Sequence, residues 1–199
     1  MSDEAVTKAV TRFYDSHPIN DDQILHALRE SGVNLTNLTQ DALTALDQDH
    51  YGGIEANALL SRKAGITPSH HVLDVCSGMG GPACWLAQKI GCRVTGLELT
   101  QSRCQAANRL TAMVGLDEKV EFRCGNAVAI PFADGAFDVA VSQEAFVHAR
   151  RQAAEAVPES VTARADERGR RARRSRRCSA MSSPSTFPRT TASARKRPE

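Results

Sequence analysis

No apolar run in this sequence approaches the roughly 18 residues that a membrane span needs, and the first ten residues, MSDEAVTKAV, have neither the basic start nor the continuous apolar stretch of a secretion signal. A soluble, cytoplasmic protein is expected. Cysteines stand at 76, 84, 92, 104, 124 and 178, and no two of them have the spacing of roughly two to four residues that a zinc site or a redox dithiol uses. They read as reduced, mostly buried thiols, and no metal site is expected.

Residues 151–199 lack Leu, Ile, Trp, Tyr, Asn and His altogether, and their large apolar residues are two Val, one Met and one Phe. No core can be built from that. The charge changes at the same place: residues 1–150 hold 12 Lys+Arg against 18 Asp+Glu, a balance of −6, while residues 151–199 hold 13 against 5, a balance of +8. With its GRRARRSRR run and Ser/Thr/Pro/Arg mixture, the last stretch has the composition of a disordered, charged tail.

The part before it carries regular patterns. Val6, Val10, Phe13 and Tyr14 form a helical stripe, and Ile24, Leu25 and Leu28 form a second that ends at Gly32. Thr39 is placed to cap a short helix bearing Leu43 and Leu46, and residues 56–64 read as another helix, stopped by Gly65. From residue 71 short apolar runs alternate with helical ones: HVLDVC, PACWLAQKI, RVTGLEL, QSRCQAANRLTAMV, VEFRC and FDVAVSQ. That order predicts an α/β fold with a parallel sheet and crossover helices. Trp85, in the first crossover helix, reads as core.

The chemistry lies at the first strand-to-helix turn. Gly78-Met79-Gly80-Gly81-Pro82-Ala83 fits the dinucleotide pattern G-x-G-x-x-A, which a plain tight turn also produces. Asp74, four positions earlier and inside the strand, separates the ligands. Its carboxylate would repel a pyrophosphate, whereas S-adenosylmethionine offers a cationic amine and sulfonium and no phosphate. Glu98, at the end of the second strand, is placed to accept the two hydroxyls of an adenosine ribose. After the third strand, Gly125-Asn126-Ala127 offers an amide for the adenine edge, though Asn126 serves equally well as a turn residue.

VLDVCSGMGG, GLELT, CGNA and FDVAVSQEAFVH resemble the successive motifs of class I S-adenosylmethionine-dependent methyltransferases. Within that class, DQDHYGG at 47–53 and SQEAFVH at 142–148 are similar to the group that includes the glycine, sarcosine and dimethylglycine N-methyltransferases and the phosphoethanolamine methyltransferases. The resemblance implies a Rossmann-like sheet and cofactor contacts from Asp74, Ser77, Gly78, Gly80, Glu98, Leu99, Asn126, Ala127, Gln143 and Gly53. Asn126 departs from the aspartate more usual there. Tyr51 would stand near the methionine end and Glu144 and His148 would face a small-molecule acceptor, expected to be an amine. An amine must be uncharged when it attacks, so His148 or Glu144 would take its proton. Each also has a bland reading: Tyr51 as a packing aromatic, His148 and Glu144 as surface residues.

The expected organisation is an N-terminal helical segment at 1–66, a partial S-adenosylmethionine-binding domain at 67–149 and a disordered Arg-rich tail at 150–199. The fifth strand and final antiparallel pair of such a fold have no counterpart in the tail, so an incomplete sheet and weak or absent activity are expected. The abrupt change after FVH resembles a shifted reading frame. A basic arm binding nucleic acid through phosphates is the competing reading, although it lacks the interleaved aromatics of single-strand binders.

Overall fold

The computed structural model describes residues 3–17 and 19–143. The tail expected from residue 150, with its frame-shift and nucleic-acid readings, lies outside the described residues, as do Glu144 and His148.

Four helices come first: α1 (Asp3–Asp15), α2 (Asp21–Glu30), α3 (Gln40–Thr44) and α4 (Gly53–Ala64), with a single 3-10 turn at Leu35–Asn37 between α2 and α3. Their ends are set by local chemistry. Asn20 Oδ1 accepts the Gln23 N–H at 2.9 Å and Thr39 Oγ1 accepts the Ala42 N–H at 3.3 Å, so each caps a helix whose first amides would otherwise lack partners. Gly65, left-handed at φ 65°, closes α4.

Then the alternation begins: β1 (His71–Val75), α5 (Gly81–Lys89), β2 (Arg93–Glu98), α6 (Gln101–Met113), β3 (Val120–Cys124) and β4 (Val139–Val141). The strands are all parallel in the order β3-β2-β1-β4, with Asp74 opposite Gly96 on one side and Val141 on the other. Adjacent residues of β1 point to opposite faces. Val72 enters one core with Trp85, Leu86, Val94, Ala107 and Phe122, while Leu73 and Val75 enter another with Leu97, Ala127 and Phe137. Trp85 is core, as its helical position predicted.

A third cluster joins the two halves of the chain. Ile24, Leu25, Leu28 and Leu43 from the N-terminal helices pack with Met79 of the glycine turn and with Ala106 and Leu110 of α6. The helical segment is thereby fixed against the mouth of the sheet. Among the described residues no helix is long and apolar enough to cross a membrane.

Candidate functional site

Because all four strands run in parallel, their carboxyl ends share one edge, and β1 lies where the chain order reverses between β2 and β4. That is where an open α/β sheet leaves a crevice for a ligand. The turn leaving β1 is wound through left-handed conformations at Cys76 (φ 61°), Gly78 (φ 58°) and Gly80 (φ 88°). For Cys76, which has a Cβ, this costs about 1–2 kcal/mol.

Gly80 and Gly81 owe their smallness to the protein itself. A Cβ on Gly80 would strike the Phe122 ring, and one on Gly81 would strike the backbone oxygen of Asp47. Gly78 differs: its nearest neighbour on that side is Arg103 Nη2, 3.5 Å from where a Cβ would be.

Two carboxylates flank this turn. Glu98 Oε2 accepts the Gly78 N–H at 3.0 Å and Oε1 accepts the Thr100 N–H at 2.9 Å, which ties the end of β2 to the glycine turn. Each oxygen keeps a further lone pair for another donor. Asp74 is 3% exposed and its Oδ2 has no partner among the described residues. Burial, and secondarily the charge of Glu98, pushes its pKa up to about 7. Ser77 Oγ, Thr100 Oγ1, Arg103 Nη1 and Gln143 Oε1 are also buried without a partner among the described residues. All of these atoms belong to segments bordering the crevice, and buried polar atoms ordinarily have partners.

The segment 47–50 closes one side. Gln48 Nε2 donates to Asp47 Oδ1 at 2.6 Å, and Gln40 Nε2 donates to Asp47 Oδ2 at 3.0 Å. Burial nevertheless raises the Asp47 pKa to about 6. Gln48 Oε1 accepts from Asn57 Nδ2 at 2.7 Å and lies 3.0 Å from His50 Nε2, while Gln143 Nε2 lies 3.0 Å from His50 Nδ1. These contacts link Gln40, Asp47, Gln48, His50 and Gln143, so a polar chain runs from α3 to the end of β4.

Of the expected site residues, Asp74, Ser77, Gly78, Gly80, Glu98 and Gln143 come together around this crevice. Leu99 is half-buried behind Glu98, and its carbonyl accepts from Cys124 Sγ at 3.4 Å. Asn126 behaves as a turn residue, its Oδ1 accepting the Val128 N–H at 3.0 Å, while its Nδ2 lies 3.4 Å from Thr7 Oγ1 of α1. Ala127 is buried beside Leu97. Gly53 opens α4 at φ 51°, and the Tyr51 side chain is 85% exposed. Sequence reasoning left out Asp49, His50 and Arg103. The first two lay inside the DQDHYGG motif, but nothing in QSRCQ marks Arg103 as a buried cation.

Residues 72–169 match a family model described as a methyltransferase domain. The glycine/sarcosine/dimethylglycine N-methyltransferase of Actinopolyspora halophila is 37% identical over 89 residues, 45% of this chain and 16% of that protein. The 24-methylenesterol C-methyltransferase 2 of Oryza sativa subsp. japonica is 39% identical over 84 residues, 42% of this chain and 23% of that protein. The chain thus spans less than a quarter of the length of these two relatives. The crystal structure of the [4+2]-cyclase SpnF superposes with a TM-score of 0.56 at 21% identity, covering 76% of this chain and 54% of that one. That likeness bears on the fold alone.

Proposed function

Because this chain belongs to the class I S-adenosylmethionine-dependent methyltransferase family, we propose that it binds S-adenosylmethionine in the crevice above β1 and transfers its methyl group to a small-molecule acceptor, an amine in our reading. The observation that carries the cofactor site is Asp74 Oδ2, a carboxylate oxygen at the end of β1 that is buried and has no partner among the described residues. An anion there would be repelled, and a cation would supply the missing partner.

The other residues fit the same ligand. Glu98 is anchored by two backbone amides and accepts the ribose hydroxyls with its remaining lone pairs. Asn126 and Ala127 border the adenine edge. Ser77, Gly78, Gly80, Leu99, Gly53 and Gln143 complete the surround, and Tyr51 stands near the methionine end. S-adenosylmethionine supplies an electrophilic methyl on a sulfonium, so the protein's task is to hold the acceptor in line and keep water out. An amine acceptor needs its proton removed, a role we assign to His148 with Glu144 beside it.

The amine reading rests on the DQDHYGG and SQEAFVH segments and on the similarity to an N-methyltransferase. The similarity to a sterol C-methyltransferase supports a carbon acceptor instead. Two measurements separate these statements. Calorimetry should show binding of S-adenosylmethionine or S-adenosylhomocysteine and none of NAD at the same concentration; tighter NAD binding overturns the cofactor reading. Labelled methyl transfer to glycine, sarcosine and phosphoethanolamine, with a sterol as control, tests the acceptor, and transfer to the sterol alone overturns the amine.

A further inference from the structure

Phe122, in the middle of β3, is buried, and the tip of its ring meets the turn that leaves β1. A Cβ built on Gly80 would overlap Cζ and lie 2.9 and 3.1 Å from Cε1 and Cε2. Those near-equal distances put Gly80 on the long axis of the ring, just beyond its end. A Cβ on Gly96, the residue that pairs with Phe122 across the sheet, would overlap Cδ1 and Cε1 and come within 2.6 Å of Ser77 Oγ. Gly96 lies inside β2 without a positive φ, so what it provides is room for a close approach. One edge of the ring and the Ser77 hydroxyl share that notch.

The ring is held from both sides. Pairing with β2 fixes the strand on one side. On the other, Asn108 of α6 stands in for a strand partner: its Oδ1 accepts the Phe122 N–H at 3.0 Å and its Nδ2 donates to the Phe122 carbonyl at 3.0 Å. The ring itself sits in the core cluster with Trp85, Leu86 and Val94, where close packing resists movement. The turn is different. Gly78 and Gly80 have no side chains to anchor them, and glycine loses the most conformational freedom on being ordered.

We propose that Phe122 is a positioning residue for the glycine turn: its ring is the seat of Gly80, and the length of that ring fixes where the turn stands. The consequence for S-adenosylmethionine rests on the cofactor reading above. The seating of the turn does not.

Ring length is therefore the variable to test, on the full chain. Phe122→Tyr keeps every carbon and adds one oxygen at the tip, in the space beside Gly80. Phe122→Leu withdraws the tip. Val94→Ala, a truncation in the same core cluster away from the turn, controls for a general loss of packing. Amide exchange in the free proteins, read at residues 76–81 relative to β1, should be about 10-fold faster in both Phe122 variants than in Val94→Ala, the low end of what overpacking or a cavity causes. Calorimetry with S-adenosylhomocysteine should show affinity about 10-fold lower in the two Phe122 variants and within about threefold of the unaltered protein in Val94→Ala. If Phe122→Leu does not fold, Phe122→Tyr still decides the matter. Exchange in the Phe122 variants no faster than in the control would overturn the proposal, as would faster exchange with undiminished affinity. Faster exchange at the turn, together with no binding of S-adenosylhomocysteine to the unaltered protein, would uphold the seat and overturn the cofactor reading instead.

Discussion

Asp74 shows what a prepared site costs the free protein. A carboxyl whose pKa is raised on folding, here from 3.8 to about 7, contributes most to stability below its unfolded value and loses that contribution as pH rises through the folded one. About three pH units corresponds to about 4 kcal/mol at most, an upper figure because water and relaxation soften buried charges. Asp74→Asn should therefore raise the thermal midpoint by several degrees at pH 8 and much less at pH 5, while weakening S-adenosylmethionine binding. Differential scanning fluorimetry at the two pH values checks this, and an equal shift at both would show that the charge is not the source. Glu98, by contrast with the unpartnered Asp74 Oδ2, is already held by two backbone amides. Glu98→Ala removes the ribose acceptor and leaves the Gly78 and Thr100 amides without their partner. A loss of about 1.5–3 kcal/mol in cofactor binding is expected by calorimetry, together with some loss of stability.

At the scale of elements, α1 is the outlier. None of its described side chains is buried, Phe13 is 57% exposed, and its ties to the rest include polar and ring contacts of Asp15 with Ser102, Thr7 with Asn126 and Tyr14 with Arg103. Elements with little buried apolar surface open at low free energy. Amide exchange should therefore be faster in α1 than in β1 or β2, and cofactor binding at Asn126, whose Nδ2 lies 3.4 Å from Thr7 Oγ1, should slow it. Exchange in α1 as slow as in the strands, without ligand, would contradict that. The elements themselves were legible in the sequence because each obeys a strong local period. The stripe at Ile24, Leu25 and Leu28, the cap at Thr39, the stop at Gly65 and the apolar runs of β1 and β2 all lie where the pattern put them. The site was legible at Asp74 and Glu98, whose distance from the glycine turn is fixed by strand geometry. It was not legible at Arg103 or His50. Their partners, Asp49 and Gln143, are 54 and 93 residues away in the chain, and only packing brings them together.

For the molecule as a whole, stability and cofactor binding should respond to pH in opposite directions. Asp74 and Asp47 both have pKa values raised by burial, to about 7 and about 6, so their joint contribution to the free protein diminishes between about pH 4 and 7. His71 acts the other way: burial, with Arg93 nearby, lowers its pKa, so it costs stability as pH falls below about 6.5. Cofactor binding adds a third contribution. A cation beside Asp74 favours the ionised carboxylate, so below pH 7 binding must expel a proton and weakens by up to about tenfold per pH unit. With a free pKa of about 7, affinity at pH 5.5 should be about 25-fold below that at pH 7.5. At a concentration about 100 times the dissociation constant at pH 7.5, the cofactor stabilises the protein by about 2.7 kcal/mol there and by about 1 kcal/mol at pH 5.5. Thermal shifts with and without S-adenosylmethionine across this range measure the difference directly. Asp74→Asn supplies the control, since without a titrating group at that position the thermal shift should lose most of its pH dependence. A shift that stays constant with pH in the unaltered protein would mean that Asp74 does not face the cation.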